Sequence, residues 1–182
     1  MTVTHEGIRG VLARYLDAFP HRAPGVARLT HSLGPGQNIS CRKTLPLHVT
    51  CSAAAIDHTG RVLMIRHRRL DRWVLPGGHI SPSDRSLYDT ALRKLEEETG
   101  ISWRQVASLA MTDVMPVDID VHQAPAHPAR DTPEHWHADF RFAIRVRDTP
   151  DITLRPEEAT AYVWREPVEL PAMRLAAGIA AL

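Results

Sequence analysis

The sequence lacks an excess of charge of either sign, a long apolar run and a set of paired cysteines. It carries 22 Lys and Arg residues against 21 Asp and Glu residues, so no net positive field favours binding to a nucleic acid. No stretch approaches the roughly 20 apolar residues of a membrane-spanning helix. Cys41 and Cys51 are too few for a disulfide framework or a paired-cysteine zinc motif. We therefore expect a soluble, cytoplasmic protein that binds neither nucleic acid nor membrane.

What the sequence does contain is typical of a compact chain with a sizeable core, since 43% of its 182 residues are hydrophobic. Apolar residues at helical spacing predict an amphipathic helix over 8–16, which ends at Phe19 and Pro20. A weaker helical pattern follows over 26–33. We interpret residues 1–40 as a helical extension packed on a main domain at 41–182.

The main domain alternates between strand and helix patterns. Strands are predicted at 48–56 and 61–66 around a turn, and at 106–114. A long loop is predicted over 118–133, because prolines interrupt it. Strict alternation over 135–144 predicts a strand with a polar face formed by His135, His137, Asp139 and Arg141. A helix-prone tail begins at about residue 171. Together these patterns indicate an α/β or α+β fold with a mixed sheet.

The most informative segment is a helix predicted over about 85–99 and stopped by Gly100. Its apolar residues share one face, Lys94, Glu97 and Glu98 lie on one flank, and Glu96 lies on the opposite flank. Carboxylates in the last turn meet the negative end of the helix dipole, at a cost of about 0.3–1 kcal/mol each. A bound divalent cation would reverse that cost. The alternative is a solvated acidic surface.

These residues resemble the Nudix box, the pattern G-x5-E-x7-R-E-U-x-E-E-x-G-U, in which U is a bulky aliphatic residue. Asp84 stands in place of the first Glu, and one extra residue separates Asp84 from Arg93. The segment before the box also looks like the strand and loop that lead into such boxes. The matching residues are Gly78, Arg93, Leu95, Glu97, Glu98, Gly100 and Ile101.

The resemblance implies a Nudix-like α/β/α sandwich around a mixed sheet, here preceded by the N-terminal helices. It also implies metal-dependent cleavage of the pyrophosphate bond in a nucleoside diphosphate linked to another group. By carry-over from the family, Glu97 and Glu98 bind Mg²⁺ or Mn²⁺, and Arg93 orients a glutamate by an ion pair. Asp84 either helps to hold the metal or caps the helix. The expected partner is a small-molecule diphosphate, and the resemblance is compatible with a homodimer.

The sequence departs from the pattern at Lys94, which replaces the Glu expected directly after the Arg. An ammonium about 4 Å from Mg²⁺ would repel it by about 8 kcal/mol at an effective dielectric constant of about 20. A pair between Lys94 and Glu98 would instead stabilise the helix by about 0.2–0.5 kcal/mol. The alternative function is therefore a catalytically weakened or repurposed Nudix-fold protein, which binds a nucleotide or serves a specialised pathway.

The polar face of the 135–144 strand is the second candidate site. His135, His137 and Asp139 project at a period of two residues, and Arg141 extends the row toward an anion. We predict that these four residues and Gly78 contact substrate. A third hypothesis is a transition-metal site formed by His135, His137 and Asp139.

Overall fold

A computed structural model describes residues 2–34, 37–107, 114–127 and 131–180. Four α-helices are present among them, at His5–Ala18 (α1), Ala27–Ser32 (α2), Leu87–Thr99 (α3) and Met173–Ala180 (α4). Short 3₁₀ helices lie at Pro20–Val26, Trp103–Gln105 and Pro167–Glu169. The helices predicted near residues 8–16, 26–33, 85–99 and beyond 171 are therefore confirmed, with shifts of a few residues at their ends.

Seven strands of the described part of the chain form one mixed sheet. Its main path runs β3-β2-β1-β6-β5, while β4 pairs with β1 and β7 pairs with β2. The pairing of β1 with β6 is parallel and the other pairings are antiparallel. The strands are Leu47–Ile56 (β1), Val62–His67 (β2), Arg72–Val74 (β3), Gly77–His79 (β4), Asp118–Ala124 (β5), His135–Arg145 (β6) and Ala159–Arg165 (β7).

The central strand β1 is buried along its whole length, as expected for a strand covered on both faces. Its residues alternate between two apolar cores, because successive side chains point to opposite sides of the sheet. Val49, Cys51 and Ala53 pack in the larger core with α1 and α3, whereas Ala54 and Ile56 pack in the smaller core with α4. Helices thus cover both faces of a mixed sheet, which confirms the predicted α/β/α sandwich.

The N-terminal helices contribute to the larger core. Ile8, Leu12 and Tyr15 lie one helical turn apart on α1 and are buried in the same cluster as Phe140 of β6. Leu29 of α2 joins them. The boundary that we predict at residue 40 stays a prediction, since the two segments share this core.

The predicted loop over 118–133 is wrong in its first half. Asp118–Ala124 forms β5, which pairs antiparallel with β6 along its length. Strand propensity does not predict β5, because Asp118 and Asp120 are unfavourable strand residues. In the fold they lie on the polar side of the strand and bind arginines. The predicted strand at 106–114 lies mostly outside the described residues, but Val106 forms a single bridge with Val146. No helix in the described part of the chain is long and apolar enough to cross a membrane.

Candidate active site

Three carboxylates converge on one ammonium group at the C-terminal end of α3. Lys94 Nζ lies 2.7 Å from Glu98 Oε1, 3.2 Å from Glu97 Oε2 and 3.5 Å from Glu158 Oε2. We call Glu97, Glu98 and Glu158 the carboxylate cluster. Lys94 and Glu98 are both largely buried, with side chains 11% and 6% exposed. The pair of Lys94 with Glu98, which the sequence left open as an alternative, is therefore present.

The glycines before α3 bring the backbone against this cluster. Gly77 N donates a hydrogen bond to Glu98 Oε2 over 3.2 Å. A Cβ on Gly77 would collide with Ser52 Oγ of β1, and a Cβ on Gly78 would lie 2.8 Å from Lys94 Cε. Gly77 therefore needs glycine, because a side chain there would collide with Ser52 and the Cys51 carbonyl of β1, whereas a side chain on Gly78 would first meet the flexible end of Lys94. Gly78, predicted to contact substrate, borders the carboxylate cluster.

Arg93 links the loop before α3 to the last turn of α3. Its guanidinium donates two hydrogen bonds of 2.8 Å to the Asp84 carboxylate and one of 2.9 Å to Glu97 Oε1. It also donates to the His79 carbonyl over 3.0 Å. The bidentate geometry with Asp84 fixes the direction of the guanidinium, and that direction in turn orients Glu97.

Asp84 does not cap α3, which corrects one of the two roles considered for it. The N-cap is Ser86, whose hydroxyl accepts a hydrogen bond from the Asp89 backbone N–H. Asp84 is buried, and besides Arg93 it accepts hydrogen bonds of 2.8 Å from Ser81 N and from Thr90 Oγ1. Because its carboxylate oxygens accept hydrogen bonds from all of these donors, Asp84 serves to hold the Arg93 guanidinium in place.

The charges in the carboxylate cluster depend strongly on one another. Burial raises the pKa of Glu98 to about 7, although Lys94 opposes this effect. Burial also disfavours the charged form of Lys94, but Glu98 and Glu158 outweigh it and raise the pKa of the ammonium. For Glu97, hydrogen bonds from Arg93 and Lys94 overcome burial and lower the pKa. The ammonium therefore favours the ionised form of Glu97, whereas at Glu98 burial outweighs the ammonium.

This donor set fits a hard divalent cation in its chemistry. Mg²⁺ and Mn²⁺ prefer carboxylate oxygens, and the carboxylate cluster already surrounds a single positive charge. Lys94 is the competitor for that position. Its ammonium is carried on four flexible bonds, so the cluster accepts a metal ion only as Lys94 turns away.

The polar face of β6 lies on the opposite side of the sheet from α3. Phe140 and Phe142 face the larger core, whereas His135, His137, Asp139 and Arg141 occupy the alternate positions. His135 and His137 meet histidines of neighbouring strands. We call His48, His79, His122, His135 and His137 the histidine cluster, in which neighbouring ring centroids lie 4.8–5.7 Å apart.

Burial dominates the protonation of this cluster. Burial, together with nearby His48, lowers the pKa of His79 to about 3 and that of His137 to about 2. The pKa of His48 is also lowered by burial. These three rings are therefore neutral at pH 7 and keep a lone pair on one nitrogen.

Asp139 and Arg141 belong to a separate ladder of ion pairs. Arg141 lies 3.1 Å from Asp118, 2.7 Å from Asp120 and 3.1 Å from Asp139. Asp139 also accepts hydrogen bonds from Thr50 and Ser52 of β1. The structure thus does not bring Asp139 together with His135 and His137 as a ligand set. Thr50 and Ser52 instead tie Asp139 to β1, and Arg141, on β6 itself, ties the ladder to Asp118 and Asp120 of β5.

Comparison with known proteins gives the context for this geometry. A family model described as "NUDIX domain" matches residues 46–181, which include α3 and the carboxylate cluster. The chain belongs to the Nudix family.

Two curated Nudix-like relatives carry names of pyrophosphohydrolases. A "Probable DHNTP pyrophosphohydrolase" of Lactococcus lactis is 26% identical over 97 residues, which cover 53% of this chain and 54% of the relative. An "RNA pyrophosphohydrolase" of Erythrobacter litoralis is 30% identical over 112 residues, which cover 59% of this chain and 66% of the relative. The chain therefore spans about half to two thirds of the length of these relatives.

Two solved structures support the Nudix fold. An Ap4A hydrolase of C. elegans superposes with a TM-score of 0.55 at 15% identity, covering 73% of this chain and 95% of the other. A dihydroneopterin triphosphate pyrophosphohydrolase of E. coli superposes with a TM-score of 0.53 at 16% identity, covering 74% and 93%. At such low identity these matches concern the fold alone.

Sequence reasoning missed Glu158, His48 and His79 as members of the two clusters. Glu158 precedes β7 and reaches Lys94 only because β7 pairs with β2. His48 and His79 lie on strands that pair through β1, where His48 is in register with His137 and Thr50 with His79. The alternation of His48 with Thr50 and Ser52 was the available signal for a polar face on β1.

Proposed function

We propose that this protein is a metal-dependent hydrolase that cleaves the pyrophosphate bond of a nucleoside diphosphate linked to another group. The observation that carries the proposal is the convergence of Glu97, Glu98 and Glu158 on one positive charge at the end of α3. Membership of the Nudix family and the names of the two curated relatives support the class of reaction.

In this proposal Glu97 and Glu98 hold Mg²⁺ or Mn²⁺, with Glu158 as a further carboxylate beside them. When bound, the metal ion would neutralise the negative charge that develops on the phosphate oxygens. Arg93 keeps Glu97 in place through its ion pair of 2.9 Å. Asp84 acts through Arg93, because its carboxylate is already shared among Arg93, Thr90 and Ser81. We therefore assign Asp84 a positioning role rather than direct ligation.

The substrate phosphates are proposed to approach along Gly78, where the backbone borders both Lys94 and the carboxylate cluster. The absence of a side chain at Gly78 permits such an approach. Asp139 and Arg141 are engaged with each other and with neighbouring strands, so we propose that they shape this face of the sheet instead of binding phosphate.

Lys94 favours a second candidate function, a Nudix-fold protein with weakened hydrolysis that binds its nucleotide. The ammonium lies 2.7 Å from Glu98 and is largely buried, so a metal ion must displace it. The energy of that displacement decides whether the protein hydrolyses its ligand at a useful rate or retains it.

The test is hydrolysis of a panel of nucleoside diphosphate derivatives with Mg²⁺ or Mn²⁺, followed by release of phosphate or mononucleotide. Glu97→Gln and Glu98→Gln should each lower kcat/KM by about 100-fold, since each removes a charged metal ligand. Glu96→Gln is the matched control, because Glu96 is exposed on the same helix and outside the cluster. It should leave kcat/KM within about twofold. Absence of turnover across the whole panel, or full activity in Glu97→Gln, would contradict hydrolysis at this cluster.

A further inference from the structure

The histidine cluster is assembled from four strands and lies outside the carboxylate cluster. His48 is in register with His137 on the parallel neighbour β6, and His122 of β5 is in register with His137 on its other side. His79 enters from β4, which pairs with β1. His48 and His135 are buried, while His79 and His137 are partly exposed, so the cluster is reachable from solvent.

The nitrogen atoms of the cluster are close enough to share one ion. His48, His135 and His137 each offer a ring nitrogen, and these three atoms lie within 4.8 Å of one another. His135 Nε2 and His137 Nε2 are 3.0 Å apart. Tetrahedral zinc with bonds of about 2.0–2.1 Å places its nitrogen ligands about 3.3 Å apart. Side-chain adjustments of the order of an ångström therefore bring the three nitrogens to ligand distances.

For His48 and His135 the backbone selects the tautomer that metal binding needs, whereas His137 Nε2 donates to His135 Nε2 and its proton must move to Nδ1 when a metal binds. His48 Nδ1 donates to the Thr44 carbonyl over 3.1 Å, and His135 Nδ1 donates to the Pro133 carbonyl over 2.7 Å. A carbonyl oxygen only accepts, so the proton of each ring is on Nδ1 and Nε2 keeps its lone pair. Such a bond from the second ring nitrogen is the usual support of a metal-binding histidine.

A purely structural role accounts poorly for this arrangement. In the interior, apolar side chains would fill the same volume without polar atoms to satisfy, whereas here imidazole nitrogens pair with one another, His79 with His48 and His137 with His135. His79 Nε2 meets His48 Nε2 at 3.1 Å, which uses the one lone pair of His48 in a contact that a metal ion would replace.

We propose that His48, His135 and His137 form a second metal site, which takes a borderline divalent ion such as Zn²⁺. Neutral imidazole favours such ions over Mg²⁺, and three protein ligands leave a fourth position for His79, water or an oxygen of a ligand. Asp139, the carboxylate that we considered from the sequence, is excluded from this site by its bonds to Thr50, Ser52 and Arg141. The site is independent of the carboxylate cluster and of hydrolysis there.

The experiment is a Zn²⁺ titration of the full chain after chelator treatment, in competition with a chromophoric chelator and in millimolar Mg²⁺. Wild type should take up one equivalent of Zn²⁺. His48→Gln and His135→Gln should each weaken uptake on the order of 100-fold. His58→Gln, an exposed histidine on the β1–β2 turn, and Glu97→Gln should bind Zn²⁺ as wild type does.

Two results would overturn the proposal. One is wild type that takes up no Zn²⁺ in the micromolar range. The other is uptake that survives in both histidine variants but is lost in Glu97→Gln, which would locate the ion in the carboxylate cluster. If a histidine variant fails to fold by circular dichroism, wild type decides the matter alone. Zn²⁺ should then protect His137, the partly exposed member of the three, from carbethoxylation, mapped by mass spectrometry, and equal labelling with and without Zn²⁺ would refute the site.

Discussion

Lys94 is the residue on which, in our proposal, the level of hydrolysis depends. The chain has one other lysine, Lys43, which is exposed, whereas Lys94 is surrounded by Glu97, Glu98 and Glu158. A buried ammonium among carboxylates satisfies them as a metal ion would, but with one positive charge and no Lewis acidity.

Replacing this side chain should therefore change metal affinity in a defined direction. In Lys94→Glu the dissociation constant for Mn²⁺ should fall about tenfold, which is about 1.4 kcal/mol, because a competing ammonium is removed and a carboxylate added. Titration calorimetry measures this change. Lys43→Glu carries the same change of charge at an exposed position and should leave the constant unaltered.

The same variant separates the two candidate functions. A rise in turnover of several orders of magnitude from near zero would favour the weakened, nucleotide-binding protein. Little change or a loss of turnover would favour a hydrolase that works with its lysine in place. An unchanged affinity for Mn²⁺ in Lys94→Glu would show that the ammonium does not compete with metal.

Asp57 provides a prediction about acid stability. Burial opposes ionisation of its carboxyl, but hydrogen bonds from Thr59 and Arg61 outweigh burial and lower the pKa to about 2. The folded pKa lies below the unfolded value of about 3.9, so the stabilisation is complete above about pH 4 and is lost as the pH falls toward 2. Asp57→Asn should cost about 1–3 kcal/mol at pH 7. Urea unfolding at several pH values should show this cost shrinking in acid.

Asp71→Asn is the matched control for Asp57→Asn. The Asp71 side chain is 77% exposed, and its backbone φ of 48° is one that Asn adopts readily. The free energy of unfolding of the Asp71→Asn variant should stay within about 0.5 kcal/mol of wild type across the pH range. A cost for Asp57→Asn that is equal at pH 7 and near pH 2 would contradict the lowered pKa.

At the scale of elements, α3 carries the site and owes its ends to specific residues. Gly100 adopts a φ of 76° and its N–H donates to the Glu96 carbonyl, so the predicted C-terminal stop is confirmed. At the other end, Ser86→Ala should lower the free energy of unfolding by about 1 kcal/mol, because the hydrogen bond to Asp89 N is lost. Ser83→Ala, at an exposed serine outside the helix, is the control for chemical denaturation. Equal stability of the two variants would contradict the capping role.

The elements that the sequence predicted are those with local signals. The 3.6-residue period of α3 and the strict alternation of β6 are each contained within a dozen neighbouring positions. β5 escaped prediction because Asp118 and Asp120 are unfavourable strand residues until Arg22, Arg141 and Arg174 pair with them. That compensation comes from other elements and leaves no trace in the segment itself.

At the scale of the molecule, the family and two of the three members of the carboxylate cluster could be predicted, because Glu97 and Glu98 are adjacent in a recognisable pattern. Glu158 and the histidine cluster could not. Their members come from strands that are distant in sequence and meet only through the order and register of the sheet. Helical geometry predicts that Lys94 lies on the same flank of α3 as Glu97 and Glu98. Its burial among three carboxylates could be seen only in the folded structure.

The parallel pairing of β1 with β6 has a consequence for synthesis on the ribosome. Thr50 and Asp139 are partners 89 positions apart, so β1 emerges from the exit tunnel long before its neighbour is translated. During that interval its row of small and β-branched side chains has no parallel neighbour, a state that invites pairing between nascent chains. The early partners β2 and β4 pair with only parts of it, so most of its backbone stays unpaired until β6 is translated.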